Sequence, residues 1–223
     1  MGFRRAAVNL VLKRILDIIC KIDDREFRDA LFSNKPLLVA INHINFLEVP
    51  ILMTHSYPLY VTGLAKAETW RNPIFAFLFN TYRIIPIDRD GSYRGAFMRI
   101  REAIDNGFYA CIAPEGTRSK NGVLGQGRAG IVQLALETDA PILPIVHFGG
   151  EKIWKNLRRF RRTRLCIKAG KPFKIRFDGR PGKETRGEIL SEVMGQIARL
   201  LPTEMRGVYA EQAEKESKYL DFI

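Results

Sequence analysis

The feature that most constrains this chain is an alternation of short apolar runs with longer helix-like stretches. Six runs rich in β-branched residues are mostly apolar on both faces, as strands are when helices cover both sides of a sheet. These runs lie at 37–42, 59–65, 83–88, 108–114, 141–148 and 164–170. The helix-like stretches between them lie at about 48–55, 70–80, 92–106 and 126–138. The pattern predicts an α/β fold with a largely parallel central sheet flanked by helices.

Both ends of the chain are predicted to be helical. Residues 4–21 form a basic amphipathic pattern, which suits a helix in a membrane interface or one packed on the protein's own core. Its apolar stripe consists of Val8, Leu12, Ile15, Ile19 and Ile22. From 184 onward the composition predicts a surface helical pair that is packed on the sheet and interrupted at Pro202. We therefore predict an amphipathic membrane-interface helix at 1–30 and a single α/β domain at 31–223.

The charge of the chain limits its partners. The 223 residues carry a net charge of +12, which attracts polyanions. The basic residues are not interleaved with aromatic residues in a recognisable nucleic-acid module, so we expect an anionic membrane surface and no nucleic acid. Five of the seven residues from Arg158 to Arg164 are Arg. This run is either a solvated loop or a dock for a phosphate-rich surface.

The cysteines and the lack of long apolar stretches bear on metal binding and on the location of the protein in the cell. The three cysteines are widely spaced and form no CxxC pair, so neither a zinc site nor a disulfide framework is indicated. There is no apolar stretch of transmembrane length and no secretory leader pattern. We expect a peripheral protein on the cytoplasmic face of a membrane.

Three histidines limit the candidates for a general base. His43 directly follows the run 37–42, at the carboxyl end of a predicted strand, where parallel α/β sheets place their sites. Glu48 lies five residues further on, and a turn before a helix near residue 47 would let its carboxylate fold back on the imidazole. A carboxylate that holds one ring nitrogen leaves the other free to take a proton from a hydroxyl. Alone, this spacing is a weak signal, and a structural pair is the alternative.

Two loops that carry arginines follow other predicted strands. The first reads PEGTRS and begins at the last residue of the fourth run. There Gly116 lets the backbone approach a ligand, Thr117 and Arg118 can cradle a phosphate, and Glu115 would orient its neighbours. Arg89 ends the other loop, after the third run, and could supply a further cation. The alternatives are a polar turn with an exposed Arg and a surface salt bridge.

In this order, the motifs resemble those of the glycerolipid acyltransferase family, of the 1-acyl-sn-glycerol-3-phosphate acyltransferase type. The four blocks that carry the resemblance are NHINFLE at 42–48, RIIPIDR at 83–89, PEGTRS at 114–119 and APILPI at 140–145. A further segment, AKAE at 65–68, resembles the lysine-containing segment of the family.

The resemblance implies acyl transfer from acyl-CoA or acyl carrier protein to the free hydroxyl of a lysophospholipid. The expected reaction converts 1-acyl-sn-glycerol-3-phosphate into phosphatidic acid, without an acyl-enzyme and without a metal or organic cofactor. His43 would deprotonate the hydroxyl, and Glu48 would orient His43. The residues implied to hold the acceptor phosphate are Arg118, Thr117, Gly116, Arg89 and Lys66, with Glu115 in the same loop.

One departure from the family pattern affects the predicted substrate. Glu48 stands where the family usually has Asp, and its extra methylene requires a different approach to His43. We expect the change to affect the choice of acceptor more than the reaction. Two alternatives remain open: an acyltransferase for another lysophospholipid, and a catalytically altered lipid-binding protein of the same fold.

Overall fold

The computed structural model describes residues 2–88, 94–119 and 121–223, in which the chain forms eight α-helices and nine β-strands. The helices are α1 (Gly2–Ile19), α2 (Arg25–Ser33), α3 (Glu48–His55), α4 (Pro73–Tyr82), α5 (Arg94–Asp105), α6 (Gly130–Thr138), α7 (Ile153–Leu157) and α8 (Lys183–Leu200). The strands are β1 (Cys20–Asp23), β2 (Leu38–Ile41), β3 (Val61–Lys66), β4 (Ile85–Ile87), β5 (Tyr109–Ile112), β6 (Ile142–Phe148), β7 (Thr163–Ala169), β8 (Phe173–Ile175) and β9 (Leu220–Phe222).

The strands form one sheet whose main path runs β1-β7-β6-β2-β5-β3-β4. Strands β2 to β6 are mutually parallel, β7 runs antiparallel to β6, and β1 runs parallel to β7. Short strands β8 and β9 extend from β6 in antiparallel pairs. All six predicted strands are present, and the predicted α/β fold with a largely parallel sheet is confirmed. The carboxyl ends of β2, β4 and β5 therefore share one edge.

Strand β2 explains why the apolar runs lack a polar face. Leu38 and Ala40 belong to the hydrophobic cluster formed with α5, α6 and α8. Val39 and Ile41 belong to the opposite cluster, formed with α1, α2, α3 and α4. Because successive side chains of a strand point to opposite faces, a strand covered by helices on both sides is apolar throughout.

Local chemistry sets the ends of α4, which connects β3 to β4. The Asn72 side chain accepts the N–H of Ile74 at 2.9 Å, and Pro73 occupies the first helical position. At the other end Arg83 adopts a left-handed conformation with φ of 56°. These signals stop the helix two residues before β4, so that β4 can pair with β3.

Helix α1 packs against the protein core with the apolar stripe that was predicted to face a membrane. Val8, Leu12 and Ile19 pack against the core cluster that includes α3 and α4, as does Ile22, which lies in β1, whereas Ile15 is half exposed. The N-terminal helix is confirmed, but most of its predicted membrane-facing stripe faces inward. The protein core covers this stripe because α3 and α4 present a matching apolar surface.

A second apolar stripe of α1 faces outward. Its exposed members are Phe3, Leu10, Val11 and Ile18, with Ile15 at its margin. Arg5, by contrast, is buried: it contacts the carbonyls of Pro58 and Leu59 and lies over the ring of Tyr60. The helix therefore has an outer surface that is more apolar than the sequence pattern suggested. The division of the chain at residue 30 stays a prediction, and β1 within that first part joins the sheet.

The C-terminal region differs from the predicted surface helical pair. Helix α8 is a core helix, because Ile189, Val193, Met194 and Ile197 are completely buried against the sheet. After Pro202 the chain forms three short 3₁₀ segments and then β9, which pairs with β8. The second helix was wrongly predicted because this tail is held by contacts with α8 and β8 that no local pattern shows.

Two more features concern the surface. The arginine-rich run begins just after the short helix α7 and turns at Phe160 into β7. In the part of the chain that the structure describes, no helix has both the length and the apolar character needed to cross a membrane.

Candidate active site

The site begins where β2 ends and the chain turns into α3. Asn42 and His43 follow the strand, and α3 starts at Glu48, as the sequence predicts. Inside the turn, the Asn45 side chain accepts the N–H of Leu47 at 2.8 Å. This local bond bends the backbone and brings Glu48 back towards the strand end.

The carboxylate of Glu48 folds onto the imidazole of His43. Its Oε2 contacts Nδ1 of His43, and its Oε1 accepts the N–H groups of Ile44 at 2.6 Å and Asn45 at 2.8 Å. Glu48 is buried, whereas the ring of His43 is partly exposed. With Nδ1 occupied by the carboxylate, Nε2 is the nitrogen that can take a proton from a ligand.

The environment of Glu48 keeps it ionised. Burial by itself acts to raise the pKa of Glu48, but the interactions with His147 and His43 outweigh burial and hold the pKa at about 2. A carboxylate that is charged at neutral pH fixes the tautomer of the neighbouring imidazole and stabilises its protonated form. The pair can therefore act as a general base with an orienting acid partner.

A second histidine contacts the same carboxylate. Nε2 of His147 lies 3.2 Å from Oε1 of Glu48, and the ring is completely buried. Sequence reasoning counted His147 as one of three histidines but assigned it no role. The available signal was its position near the carboxyl end of a predicted strand, the same kind of position that pointed to His43.

The loop after β5 is tied directly to His43. Glu115 is buried; its Oε1 accepts the N–H of His43 at 2.6 Å, and its Oε2 accepts the N–H of Gly125 at 2.7 Å. Burial raises the pKa of Glu115, while the two N–H groups oppose that rise. The N–H of Ser119 also donates to the carbonyl of His43 at 2.7 Å. The Glu115 side chain thus orients the protein's own backbone.

The rest of this loop lines a small cavity. Gly116 has φ of 66°, a left-handed conformation that favours glycine. Thr117 and Arg118 line a cavity of about 340 Å³ together with Asn121. Arg128, which no sequence motif indicated, places its side chain against Gly116: a Cβ built there would lie 3.0 Å from its Nε. Two arginines therefore flank a turn that can take an anion.

Two predicted phosphate ligands, Lys66 and Arg89, belong to other segments of the chain. Lys66 ends β3 at the same sheet edge, and its Nζ lies 3.6 Å from the Glu68 carboxylate. Arg89 lies outside the described residues. Within the described ranges, no group of three or more His, Cys, Asp or Glu side chains is arranged to hold a metal ion.

Aromatic side chains stand beside the site. Phe46, three residues after His43, stacks on Trp154 of α7 with ring centroids 5.3 Å apart. Both rings are exposed, at 40% and 61%. An apolar aromatic pair thus faces solvent next to the candidate base.

Several known proteins are similar to this chain. The family described as Acyltransferase matches residues 21–147. A 1-acyl-sn-glycerol-3-phosphate acyltransferase from Cocos nucifera is 31% identical over 148 residues, which are 64% of this chain and 47% of that protein. An N-acylphosphatidylethanolamine synthase from Arabidopsis thaliana is 28% identical over 131 residues, which are 53% of this chain and 46% of that protein. The chain spans about half the length of these relatives.

A solved structure shares the fold. The 1-acyl-sn-glycerophosphate acyltransferase PlsC from Thermotoga maritima is similar over 98% of this chain and 86% of its own, with a TM-score of 0.59. The sequence identity is 19%.

Proposed function

The chain belongs to the acyltransferase family, and on that premise we propose that it transfers an acyl group from a thioester to the free hydroxyl of a lysophospholipid. The proposed acceptor is 1-acyl-sn-glycerol-3-phosphate and the product phosphatidic acid. The observation that carries the proposal is the hydrogen bond between His43 and Glu115. It connects the candidate base, whose imidazole is oriented by ionised Glu48, to a loop able to bind phosphate.

In the proposed reaction, Nε2 of His43 takes the proton of the acceptor hydroxyl while Glu48 holds Nδ1. The hydroxyl oxygen attacks the thioester carbonyl directly, and an ester C–O bond forms as the C–S bond breaks. The thiolate leaves and takes the proton back from His43. The base is regenerated, no acyl-enzyme forms, and the charged Glu48 lowers the free energy of the transient imidazolium.

The acceptor phosphate is proposed to bind at the loop after β5. Arg118, Thr117 and the backbone at Gly116 offer donors of the kinds that hold phosphate, and Arg128 stands next to them. Arg89 and Lys66 remain proposed ligands by family resemblance. A phosphate held there would bring the glycerol hydroxyl towards His43, because Glu115 and Ser119 tie the loop to that residue.

We also propose that the protein works while peripherally bound to an anionic membrane, at its cytoplasmic face, where its lipid substrates reside. The outer stripe of α1 leaves Leu10, Val11 and Ile18 exposed, and the neighbouring α4 leaves Ile74 and Phe77 exposed. Apolar surface of this kind buries favourably among acyl chains, and the net charge of +12 draws the protein to acidic lipids.

A different acceptor is the main alternative. Glu48 replaces the usual Asp, which makes another lysophospholipid an alternative acceptor. One relative is named for an N-acylated phospholipid, which makes the amine of phosphatidylethanolamine a second alternative. The other alternative is a lipid-binding protein without turnover.

The test offers purified protein a panel of lysophospholipids and phosphatidylethanolamine in vesicles, with acyl-CoA or acyl carrier protein as donor, and identifies products by mass. We expect phosphatidic acid from 1-acyl-sn-glycerol-3-phosphate. The matched control is His43→Ala, for which we expect a loss of about 100- to 10,000-fold in rate with the fold retained. Vesicle binding without product from any pair would contradict the proposal, as would full activity of the His43 variant.

A further inference from the structure

We infer that His147 is a positioning residue for the acyl transfer proposed above: its buried ring holds the Glu48 carboxylate in place at the oxygen that does not contact His43. The inference rests on the proposed function of His43. It adds a third residue to the pair that the sequence pattern suggested.

The position of His147 is set by the pairing of β6 with β2. These strands are parallel neighbours, with Ile41 opposite Ile145 in the register. Just beyond that register, the Asn42 side chain clamps the backbone of His147. Its Nδ2 donates to the His147 carbonyl at 3.0 Å, and its Oδ1 accepts the His147 N–H at 2.9 Å. The residue before His43 thus fixes the backbone that carries His147.

The ring of His147 approaches the carboxylate of Glu48. Nε2 lies 3.2 Å from Oε1, within ion-pair distance but off the direction of a regular hydrogen bond. Neither ring nitrogen has a hydrogen-bond partner among the described residues, although the residue is only 1% exposed. A polar ring buried in this way is costly unless a charge compensates it. The ionised carboxylate of Glu48 provides that charge.

The length of Glu48 makes this arrangement possible. One carboxylate oxygen contacts His43, and the other accepts the N–H groups of Ile44 and Asn45 and lies close to His147. An Asp at the same position would withdraw the carboxylate by about 1.5 Å, one C–C bond. Glu48 and His147 therefore form a matched pair: the longer acid reaches between two histidines.

Other titratable groups near Glu48 do not compete for this role. Cys111 projects from β5, and Glu115 belongs to the loop that follows it; burial and the charge of Glu48 raise the pKa of both. Because a thiol or a carboxyl group is either neutral or negatively charged, neither residue can supply a positive charge that stabilises ionised Glu48. Against the effect of burial, the histidines at the ends of β2 and β6 lower the pKa of Glu48, and the N–H groups of Ile44 and Asn45 also bind its carboxylate.

The test compares His147→Leu, which removes the ring nitrogens, with His147→Gln, which keeps an N–H near the place of Nε2. We expect His147→Leu to lower kcat by about 10- to 100-fold with little change in KM for the acceptor. The acid limb of the rate–pH profile should move to higher pH, because Glu48 without this partner is a stronger base. His147→Gln should recover most of the rate. A wild-type kcat and pH profile in His147→Leu would overturn the inference, and so would equal losses in the two variants.

A double-mutant cycle separates positioning from folding. If His147 acts through Glu48, its replacement by Leu should cost much less when Glu48 is already Gln, whereas independent effects would multiply and contradict the inference. If His147→Leu does not fold, the cycle is run with His147→Phe, which keeps an aromatic ring but removes both ring nitrogens. If the wild-type protein has no turnover, the proposed function fails, and the contact is tested separately by nuclear magnetic resonance. The His43 ring signals should then shift between wild type and His147→Leu at one fixed pH, and unchanged ring signals would overturn the inference.

Discussion

Glu115 accepts a hydrogen bond from the backbone N–H of His43 at 2.6 Å, although 72 residues separate the two in sequence. The other oxygen of the same carboxylate accepts the N–H of Gly125. The candidate phosphate loop and the candidate base are therefore held in one rigid arrangement. A substitution in the loop after β5 should therefore alter the position of His43, and a substitution near His43 should alter the loop.

Glu115→Gln should disturb this arrangement, because an amide can accept only one of the two N–H groups. We expect a loss of about 1 to 3 kcal/mol in the free energy of unfolding and of up to about 100-fold in kcat. Glu192→Gln is the matched control. Glu192 is a buried glutamate that accepts the N–H groups of Lys218 and Tyr219, each at 2.9 Å, at the C-terminal tail. It should lose similar stability with kcat intact; equal loss of kcat in both variants would contradict the assigned role.

Gly116→Ala should weaken acceptor binding. A Cβ there is strained by the left-handed backbone and meets the Arg128 side chain at 3.0 Å. Gly107→Ala is the control, because Gly107 has φ of 84° but nothing within 4 Å of a Cβ. Both variants should lose about 1 to 2 kcal/mol of stability from backbone strain, but only Gly116→Ala should raise KM for the phosphate-bearing acceptor. Parallel kinetics of the two variants would argue against a phosphate site at this loop.

The stability of the protein should depend on Glu48 in acid. The folded protein holds the pKa of Glu48 at about 2, below its ordinary 4.5, so the ionised group stabilises the fold above pH 4.5. That contribution is lost as the pH falls from 4.5 towards 2. Denaturant unfolding across this range should show the gap between wild type and Glu48→Gln closing. The exposed Glu184→Gln variant should follow the wild type throughout; a constant gap for Glu48→Gln would refute the prediction.

Ile18→Asp should weaken binding to vesicles that contain acidic lipids by about 10-fold or more, because it places a charge in the outer stripe of α1. Val208→Asp is a matched control, since Val208 is 77% exposed and Ile18 72% exposed, and Val208 lies in the C-terminal tail. Co-sedimentation with vesicles measures both variants. If the two lose binding equally, α1 is not the membrane contact.

The sequence by itself determined the architecture and the edge of the sheet that carries the site. Short runs such as 37–42 and 108–114 are apolar throughout because helices cover both faces of each strand. This pattern involves only consecutive residues, so it can be recognised in the sequence. The same locality explains why the turn from His43 into a helix at Glu48 was predictable: six consecutive residues contain both partners and the bend between them.

Only the tertiary structure decided which distant groups meet. His147 reaches Glu48 and Glu115 reaches His43 through strand register and loop packing, which depend on contacts among residues far apart in the chain. Likewise α1 has two apolar stripes, and local periodicity cannot tell which one α3 and α4 will cover. The free energy gained by burying an apolar face depends on the surface against which it packs. The sequence of the helix therefore cannot determine which of two similar faces is buried.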